Sequence, residues 1–447
     1  MSNDCYIGID WGTHSSKLCI GSGRRWIAAP MFSSDIVSTR DSIVFGEVEH
    51  PKQDEIVRGL KGDLIKNSLA AQFWGNDNRL DTGTSLGEAV AFSLTCLVAE
   101  AKRLFEEAGI GSAFVDAELG FSFPNWLAED GRRAAVAAKN FCEAAQVAVA
   151  IVSTSQKGSI PLPKVRYSIA EWKSLVGAER QRLANSKIAA ITLDSANSTR
   201  FVLPYTGPAW RFIVESGAAG IPYLRVMKLP TARGVSGLGK LLVIDIGAGS
   251  TDVGYMLRTI NVNTGAPAFY YLRPASAFPI AGNELTEDLL KHFRAQNRRM
   301  GYAEAEAQKT SGTSWCNLPF VSAWMKQICD HVETYVRGIP DERWLPTARP
   351  LNIVLTGGSG LVPGLKEKLV ESVRSAMRTR NFDSQTCDAV TAISRYEPRF
   401  DFRTEADVAR RAVSFGAADG DKPGFRYVDK FDPPILRPTV VVKPGWV

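Results

Sequence analysis

Two stretches of the chain place a carboxylate where an apolar strand gives way to glycine. In IGIDWGTHSSKLCI (7–20) the apolar run ends at Asp10, and Gly12, Thr13, His14, Ser15 and Ser16 follow, with Lys17 close behind. In LVIDIGAGSTDVGYM (242–256) it ends at Asp245, and Gly247, Ala248, Gly249, Ser250 and Thr251 lead to Asp252. Glycine lets backbone N–H groups wrap an anion, and Ser, Thr and Lys add donors. Polyphosphate arrives with Mg²⁺, which keeps several waters and prefers one or two carboxylates. The pattern therefore points to Mg²⁺–polyphosphate chemistry, with Asp10 and Asp245 facing each other across a cleft and holding the hydrated metal. A third turn, Gly357-Gly358-Ser359-Gly360, follows the apolar LNIVLT (351–356) and precedes a predicted helix, whose N-terminus suits a negative or polar ligand group. One Asp-x-Gly hairpin is equally well explained as an aspartate capping a tight turn. Two mirror copies followed by a Gly-Gly-Ser turn are not.

The elements that must hold these turns can be read around them. Residues 5–20 and 241–256 each read as strand, glycine turn, strand, which suggests two related lobes. Ser85 and Glu88 form a capping box before a helix over 89–108. DAELGFSFPNWL (116–127) reads as a strand ending at Pro124, and an alanine-rich helix follows over about 128–147. Ser168 and Glu171 cap a helix whose apolar face carries Ile169, Trp172, Leu175, Val176 and Leu183. Leu285, Leu289 and Phe293 recur every four residues, and Pro363 is expected near the first turn of a helix after the third glycine turn. Strands alternating with long helices indicate an α/β protein. The segment 419–447 is proline-rich and lacks helical periodicity, so an extended tail is expected, with one short strand at 439–442.

Composition narrows the classes. At 447 residues with 45% hydrophobic and 22% charged residues, the chain can build an ordinary soluble core in two or three domains or one two-lobed body. No run of eighteen uncharged apolar residues occurs, and the N-terminus lacks the basic and apolar regions of a secretory signal. Seven cysteines without a CxxC argue against a disulfide framework and a zinc knuckle, and a reducing cytoplasm is expected. The net charge of +6 is mild and scattered, so neither nucleic acid nor membrane is an expected partner.

These motifs resemble those of the actin, hexokinase and heat-shock ATPase superfamily, and within it most closely the heat-shock protein 70 (DnaK-type) chaperones. Residues 7–20 resemble the first phosphate motif, 242–256 the second, and IVLTGGSGLVPGLKEKL (353–369) the adenosine motif. FPNWL (123–127), VESGAAG (214–220) and SFGAA (414–418) resemble further chaperone segments, so the likeness runs unevenly over 4–418. It implies a two-lobed, actin-like ATPase fold of duplicated ribonuclease-H-like lobes with ATP or ADP in a central cleft. The lobes would span 1–215 and 216–418, with the tail at 419–447. Asp10 and Asp245 would hold hydrated Mg²⁺. Gly12, Thr13, His14, Gly247, Gly249 and Ser250 would approach the phosphates. Glu215 and Asp252 would hold the metal waters and the attacking water, and Lys61, in RGLKGDLI (58–65), would reach the terminal phosphate. Gly282, Gly357, Gly358 and Ser359 would line the adenosine end. Plainer readings stand beside these: Lys61 as a surface lysine, Glu215 as a helix-start acid, Ser250 as a turn residue, His14 without a chemical role. Trp11 reads as core packing.

The departures shape the functional expectation. Leu361 stands where the chaperones carry an arginine that stacks on adenine, and Ala248 replaces a motif glycine. The stretch between Gly282 and the third turn is short, and about 152–210 reads as an insertion. After 418 neither a peptide-binding β-sandwich nor a helical lid is expected. The expectation is a slow, heat-shock-70-like ATPase switch without its own peptide-binding domain, signalling to partner proteins docked on 152–210 or on the tail. The alternatives are a self-associating, actin-like filament former and a weakly active nucleotide-binding scaffold subunit. A small-molecule kinase is least favoured, because no substrate-base motif is evident.

Overall fold

In the computed structural model the chain is a mixed α/β protein. The structure describes residues 5–22, 25–46, 56–66, 73–75, 84–123, 131–155, 159–185, 200–201, 209–226, 239–260, 267–311, 315–340, 351–378, 387–390, 405–418 and 426–427. Most of FPNWL (124–127), most of the tail, its expected strand at 439–442, and 186–199 and 202–208 of the expected insertion lie outside them.

The first half builds a sheet on the hairpin β1 (Cys5–Asp10) and β2 (Ser15–Ser22). β3 (Arg25–Ala28) and β4 (Phe32–Ser33) pair with β2. On the other side of β1 lie β8 (Glu118–Phe123), β11 (Ala209–Val214) and β10 (Arg200–Phe201), giving the order β10-β11-β8-β1-β2-β3. β1, β8 and β11 run parallel, and β2 is antiparallel to β1. A smaller sheet, β7-β5-β6-β9, joins β5 (Ile36–Ser38), β6 (Ser42–Phe45), β7 (Ile56–Val57) and β9 (Tyr167–Ser168).

The second half repeats the plan. Its sheet has the order β16-β15-β12-β13-β14-β17. The strands are β12 (Gly239–Ile246), β13 (Thr251–Ile260), β14 (Pro267–Phe278), β15 (Leu351–Thr356), β16 (Cys387–Val390) and β17 (Arg426–Tyr427). β12, β15 and β16 run parallel, and β13 is antiparallel to β12 and β14. Around their central strands, β1 and β12, the two sheets thus share order and direction. β17, from the predicted tail, pairs parallel with β14 at Tyr270 and Tyr271, so the tail's described part extends the protein's own sheet.

Ten α-helices fall within the described residues: α1 (Leu60–Lys66), α2 (Leu86–Glu107), α3 (Gly131–Thr154), α4 (Ile169–Asn185), α5 (Glu215–Val226), α6 (Gly282–Ala295), α7 (Tyr302–Ser311), α8 (Pro319–Arg337), α9 (Leu365–Arg378) and α10 (Glu405–Ala418). The predicted capping box of α2 is present in full: Glu88 N–H donates to Ser85 Oγ at 3.2 Å, and Ser85 N–H to Glu88 Oε2 at 2.8 Å. α3 runs beyond the predicted end at 147, because Val147 to Val152 are all buried and continue the apolar face. By length and composition Val136–Thr154 could cross a membrane, yet 78% of that window is buried in the fold. α4 lies against the first half: Trp172 is fully buried and its Nε1 donates to Glu88 O at 3.0 Å. The described part of the expected insertion is therefore packed into the body, with Ala170, Glu171, Ser174, Arg180, Gln181 and Arg182 on its outer side.

Among the described residues the strand periodicity feeds three large buried clusters, and a fourth, small one joins Cys19, Phe415 and Ala418. Ile7 and Ile9 of β1 join Phe92, Phe121, Phe141 and Trp172. Leu242, Ile244 and Ile246 of β12 face Leu289, Trp324 and Ile328, whereas Leu241 and Val243 face α5 and α10. β12 is buried on both faces, which explains its unbroken apolar run. α5 and α10 meet where Gly416 lies against the carbonyl of Ala218, and a Cβ there would stand 1.8 Å from that oxygen. Arg411 of α10 donates to Ala29 O in the first half, and Ala409 O accepts from Gly357 N–H in the second at 3.1 Å. α10 thus ties both halves beside the glycine turns.

Candidate functional site

Each aspartate ends up where the strand pairing puts it. Asp10 lies opposite Lys17 on β2 and beside Ser122 on β8. Asp245 lies opposite Asp252 on β13 and beside Thr356 on β15. The side chains follow suit. Ser122 Oγ donates to Asp10 Oδ1 at 3.2 Å, and Thr356 Oγ1 donates to Asp245 Oδ1 at 2.9 Å. Lys17 Nζ sits 2.9 Å from Asp10 Oδ2. Asp252 is held on its own strand by Ser250 Oγ at 2.8 Å.

Both aspartates open into one cleft of about 660 Å³ between the two halves. Thirteen of the fifteen residues singled out from sequence line it: Asp10, Gly12, Thr13, His14, Lys61, Glu215, Asp245, Gly247, Gly249, Ser250, Gly357, Gly358 and Ser359. Asp252 and Gly282 do not. Asp252 is 1% exposed and is the cross-strand neighbour of Asp245. Gly282 begins α6 and backs the second turn, its N–H donating to Gly247 O at 3.1 Å while that of Asn283 reaches Ala248 O at 2.8 Å.

The turns meet across the cleft. A Cβ on Gly249 would stand 2.5 Å from Thr13 Oγ1, so only glycine allows the two hairpins to touch. Gly357 has φ +81°, and a Cβ there would meet Ile246 O at 2.2 Å and Asp245 Oδ1 at 2.7 Å. The third turn then departs from expectation. Gly358–Leu361 forms a single 3₁₀ turn, and α9 starts only at Leu365. Gly364 has φ +80°, a left-handed conformation through which a helix cannot run, so Pro363 precedes the helix instead of opening it. None of the first residues of α9 lines the cleft, and its N-terminus is not part of the site.

Lys61, at the start of α1, and Glu215, the first residue of α5, form an ion pair with both side chains only 6% exposed. This is neither a surface lysine nor an acid serving a helix terminus alone. Burial acts to pull the Lys61 ammonium down, but Glu215, Asp10 and Asp252 outweigh it and hold its pKa above the ordinary value. Among the described residues Asp245 has no cation at ion-pair distance. Burial, then the charges of Glu215 and Asp10, push its carboxyl up to about 7 in the metal-free protein. The site thus gathers more carboxylates than it neutralises, and it has room for added positive charge. Trp11 is 2% exposed and stacks on Phe141 with centroids 5.5 Å apart, which bears out its reading as core.

Other lining residues were not evident from the sequence. Tyr302, Glu306 and Thr310 come from one face of α7, and Ala409, Arg410 and Val413 from α10. Arg58 comes from the segment before α1. The His14 ring, from the first half, lies 5.2 Å from that of Tyr302 in the second. Arg58 stands 5.3 Å over the same tyrosine ring, and Tyr302 Oη donates to Asn283 Oδ1 at 2.8 Å. Burial lowers the pKa of His14, against the pull of Glu306 and Asp35. The spacing 302, 306, 310 is a helical stripe, but on sequence alone it cannot be told from a solvated face.

Among the described residues no three His, Cys, Asp or Glu side chains converge as a direct metal cage. Two buried carboxylates in a cleft lined by glycine turns, hydroxyls and two lysines fit an octahedral Mg²⁺ that keeps its waters. The chain matches no protein-family model, and no curated protein matches it.

Proposed function

We propose that this chain is a two-lobed, actin-like nucleotide-binding protein that takes Mg²⁺–ATP or ADP in its cleft, hydrolyses ATP slowly and passes its state to partner proteins. The observation that carries the reading is the matched placement of Asp10 and Asp245. Each ends the central strand of a sheet of the same order and receives a hydroxyl from the next parallel strand. Both line one cleft between glycine turns.

In this reading Asp10 and Asp245 hold the waters of the metal, with Ser122 and Thr356 fixing their rotamers. The turns at 12–15 and 247–250 offer backbone N–H groups to the phosphates. Lys17 and Lys61 supply positive charge on the side of the first half. Glu215, fixed by Lys61, and Asp252, fixed by Ser250, orient the attacking water. Bound Mg²⁺ would neutralise the negative charge of the phosphates, and positioning supplies the rest of phosphoryl transfer to water. α5 and α10 cross between the halves, so a nucleotide touching both sides biases their closure. The outer side of α4 and the tail are the proposed docking surfaces, and the cytoplasm the proposed compartment.

ATP turnover by the purified protein, with Asp10→Ala as control and sedimentation of the same samples, tests the reading. Mg²⁺-dependent turnover that the variant loses, by a protein that stays soluble, is the expected result. Turnover no greater than the variant's sinks hydrolysis and leaves a sensor or scaffold. ATP-dependent pelleting replaces the switch with a filament.

A further inference from the structure

Among Gly12, Thr13, His14 and Ser15, His14 alone carries a group that titrates near neutral pH. The turn holds it in place. A Cβ on Gly12 would meet Ser15 O at 2.2 Å, and Ser34 N–H donates to His14 O at 2.8 Å. The side chain lines the cleft beside Thr13 and Ser15, and its ring meets Tyr302 on the opposite wall. Charged and titratable groups surround it from four directions: Lys17 on β2, Asp35 between β4 and β5, Arg58 ahead of α1, and Tyr302, Glu306 and Lys309 on α7. The two carboxylates among them already have cations. Asp35 Oδ2 lies 3.3 Å from Arg58 Nε, and Glu306 Oε1 lies 2.7 Å from Lys309 Nζ. Burial, aided by Lys309 and Lys17, outweighs Glu306 and Asp35 and holds the imidazole below its usual pKa. Without a ligand His14 is therefore neutral at pH 7.

We propose that His14 is a proton-linked phosphate contact: it takes up a proton as a polyphosphate enters the cleft and holds the anion as imidazolium, so that binding tightens as pH falls. This rests on the Mg²⁺–nucleotide reading above. A nearby anion favours the charged form of a histidine. The imidazolium donates from both nitrogens, the neutral ring from one, and a hydrogen bond between charged groups is the stronger. A ligand that favours the protonated form must, by linkage, bind better where protons are plentiful. The gain is absent at a pH where His14 stays neutral with ligand bound, and it grows as pH falls towards the range where the free ring is protonated too. Asp245 works in the opposite sense. Its carboxyl titrates at about 7 in the metal-free protein, and Mg²⁺ displaces that proton. The two effects separate on comparing proteins that differ only at residue 14.

Titration calorimetry of ADP and of tripolyphosphate, each at one fixed Mg²⁺ concentration, tests this on wild type, His14→Gln and His14→Asn. Each titration is run in two buffers of different ionisation enthalpy, so the heat reports protons taken up. At pH 7 wild type should take up more protons than either variant, by a fraction of one proton per ligand. Its affinity relative to the variants should rise about three- to tenfold from pH 8 to pH 6, the scale by which a charge-assisted hydrogen bond exceeds a neutral one. Nitrogen NMR of wild-type protein labelled at its four histidines reads the same event without relying on a variant that folds. The His14 ring should move towards imidazolium when either ligand is added. A ring whose charge ignores the ligand overturns the proposal, as does equal proton uptake in all three proteins. Variants that lose the same affinity at pH 6 and pH 8 overturn it too, because the contact then carries no proton. Wild type that binds tripolyphosphate with this proton uptake but binds no ADP upholds the phosphate contact and sinks the nucleotide reading. Wild type that binds neither sinks both.

Discussion

Lys17 and Asp252 occupy the same register position in two different sheets. Each lies opposite the aspartate of its sheet's central strand, Lys17 opposite Asp10 and Asp252 opposite Asp245. The backbone plan is repeated, but the charge is inverted. The first half brings an ion pair to the cleft, the second the carboxylate of Asp245 backed by that of the buried Asp252. A symmetric scaffold is thereby made polar. Phosphate charge is favoured on the side of Lys17, and a cation with its waters on the side of Asp245 and Asp252.

That polarity separates two variants. Lys17→Ala removes a phosphate-side cation and leaves Asp10 buried without its partner. Mg²⁺–ADP affinity should fall about 10- to 100-fold, since a charge-assisted contact is worth roughly 1.5–3 kcal/mol. Asp252→Asn should leave ADP affinity within about threefold while lowering ATP turnover about a hundredfold, as for a water-orienting group. Calorimetric titration and single-turnover kinetics on the same preparations check both. Equal losses of affinity in the two variants would contradict the division of labour.

Lys61 and Glu215 invite a double-mutant cycle. Removing one member of a buried pair leaves an uncompensated charge and costs about 3–5 kcal/mol, whereas replacing both by apolar groups is often near neutral. Lys61→Met and Glu215→Leu should each be strongly destabilised in urea unfolding. The double variant should be less destabilised than the two single losses summed, by a coupling of at least about 1–3 kcal/mol. Additive losses would mean that the pair is not formed in solution.

Asp245 sets a pH dependence whose sign can be worked out. Its pKa rises from 3.8 to about 7 on folding, so between those values the metal-free folded protein holds a proton that the unfolded chain has released. Stability supplied by that proton is lost as pH rises through this window. Asp245→Asn removes the titration and keeps an oxygen for Thr356. The melting temperature of the metal-free variant should exceed that of wild type more at pH 8 than at pH 5, by about 2–4 °C per kcal/mol. The same substitution should abolish Mg²⁺-dependent nucleotide binding. A difference in melting temperature that stays flat with pH would refute the assignment.

How much of this was legible in the sequence depends on the range of the forces involved. The strands around Asp10 and Asp245 were readable because alternation and glycine placement are local. The pairing partners Ser122 and Thr356 were not, since register across parallel strands is set by distant packing. The helix after the third turn was readable, but not that a 3₁₀ turn and the positive φ of Gly364 hold its start at Leu365, away from the cleft. The wall from α7 and α10 was invisible for a different reason. Tyr302, Glu306 and Thr310 obey helical spacing, but nothing in the chain says which face looks inward. Leu361 is an ordinary residue of the 3₁₀ turn.

The contact between His14 and Tyr302 crosses the cleft and bears on release. Tyr302 is fixed from behind by Asn283 and approached from the first half by both His14 and Arg58. Any opening wide enough to free a nucleotide between the halves must break these ring contacts. An aromatic pair is worth about 0.5–1.5 kcal/mol and an exposed cation–π contact about 0.5–1. Tyr302→Ala should therefore speed dissociation of a fluorescent ADP analogue about 5- to 50-fold in a stopped-flow chase, on the scale of about 1–2.5 kcal/mol lost with both contacts. Tyr302→Phe keeps the ring and loses only the hydroxyl bond to Asn283, so it should lie near wild type. If both variants accelerate release equally, the hydroxyl bond governs the opening and the rings do not. If neither does, the halves part without disturbing this corner of the cleft.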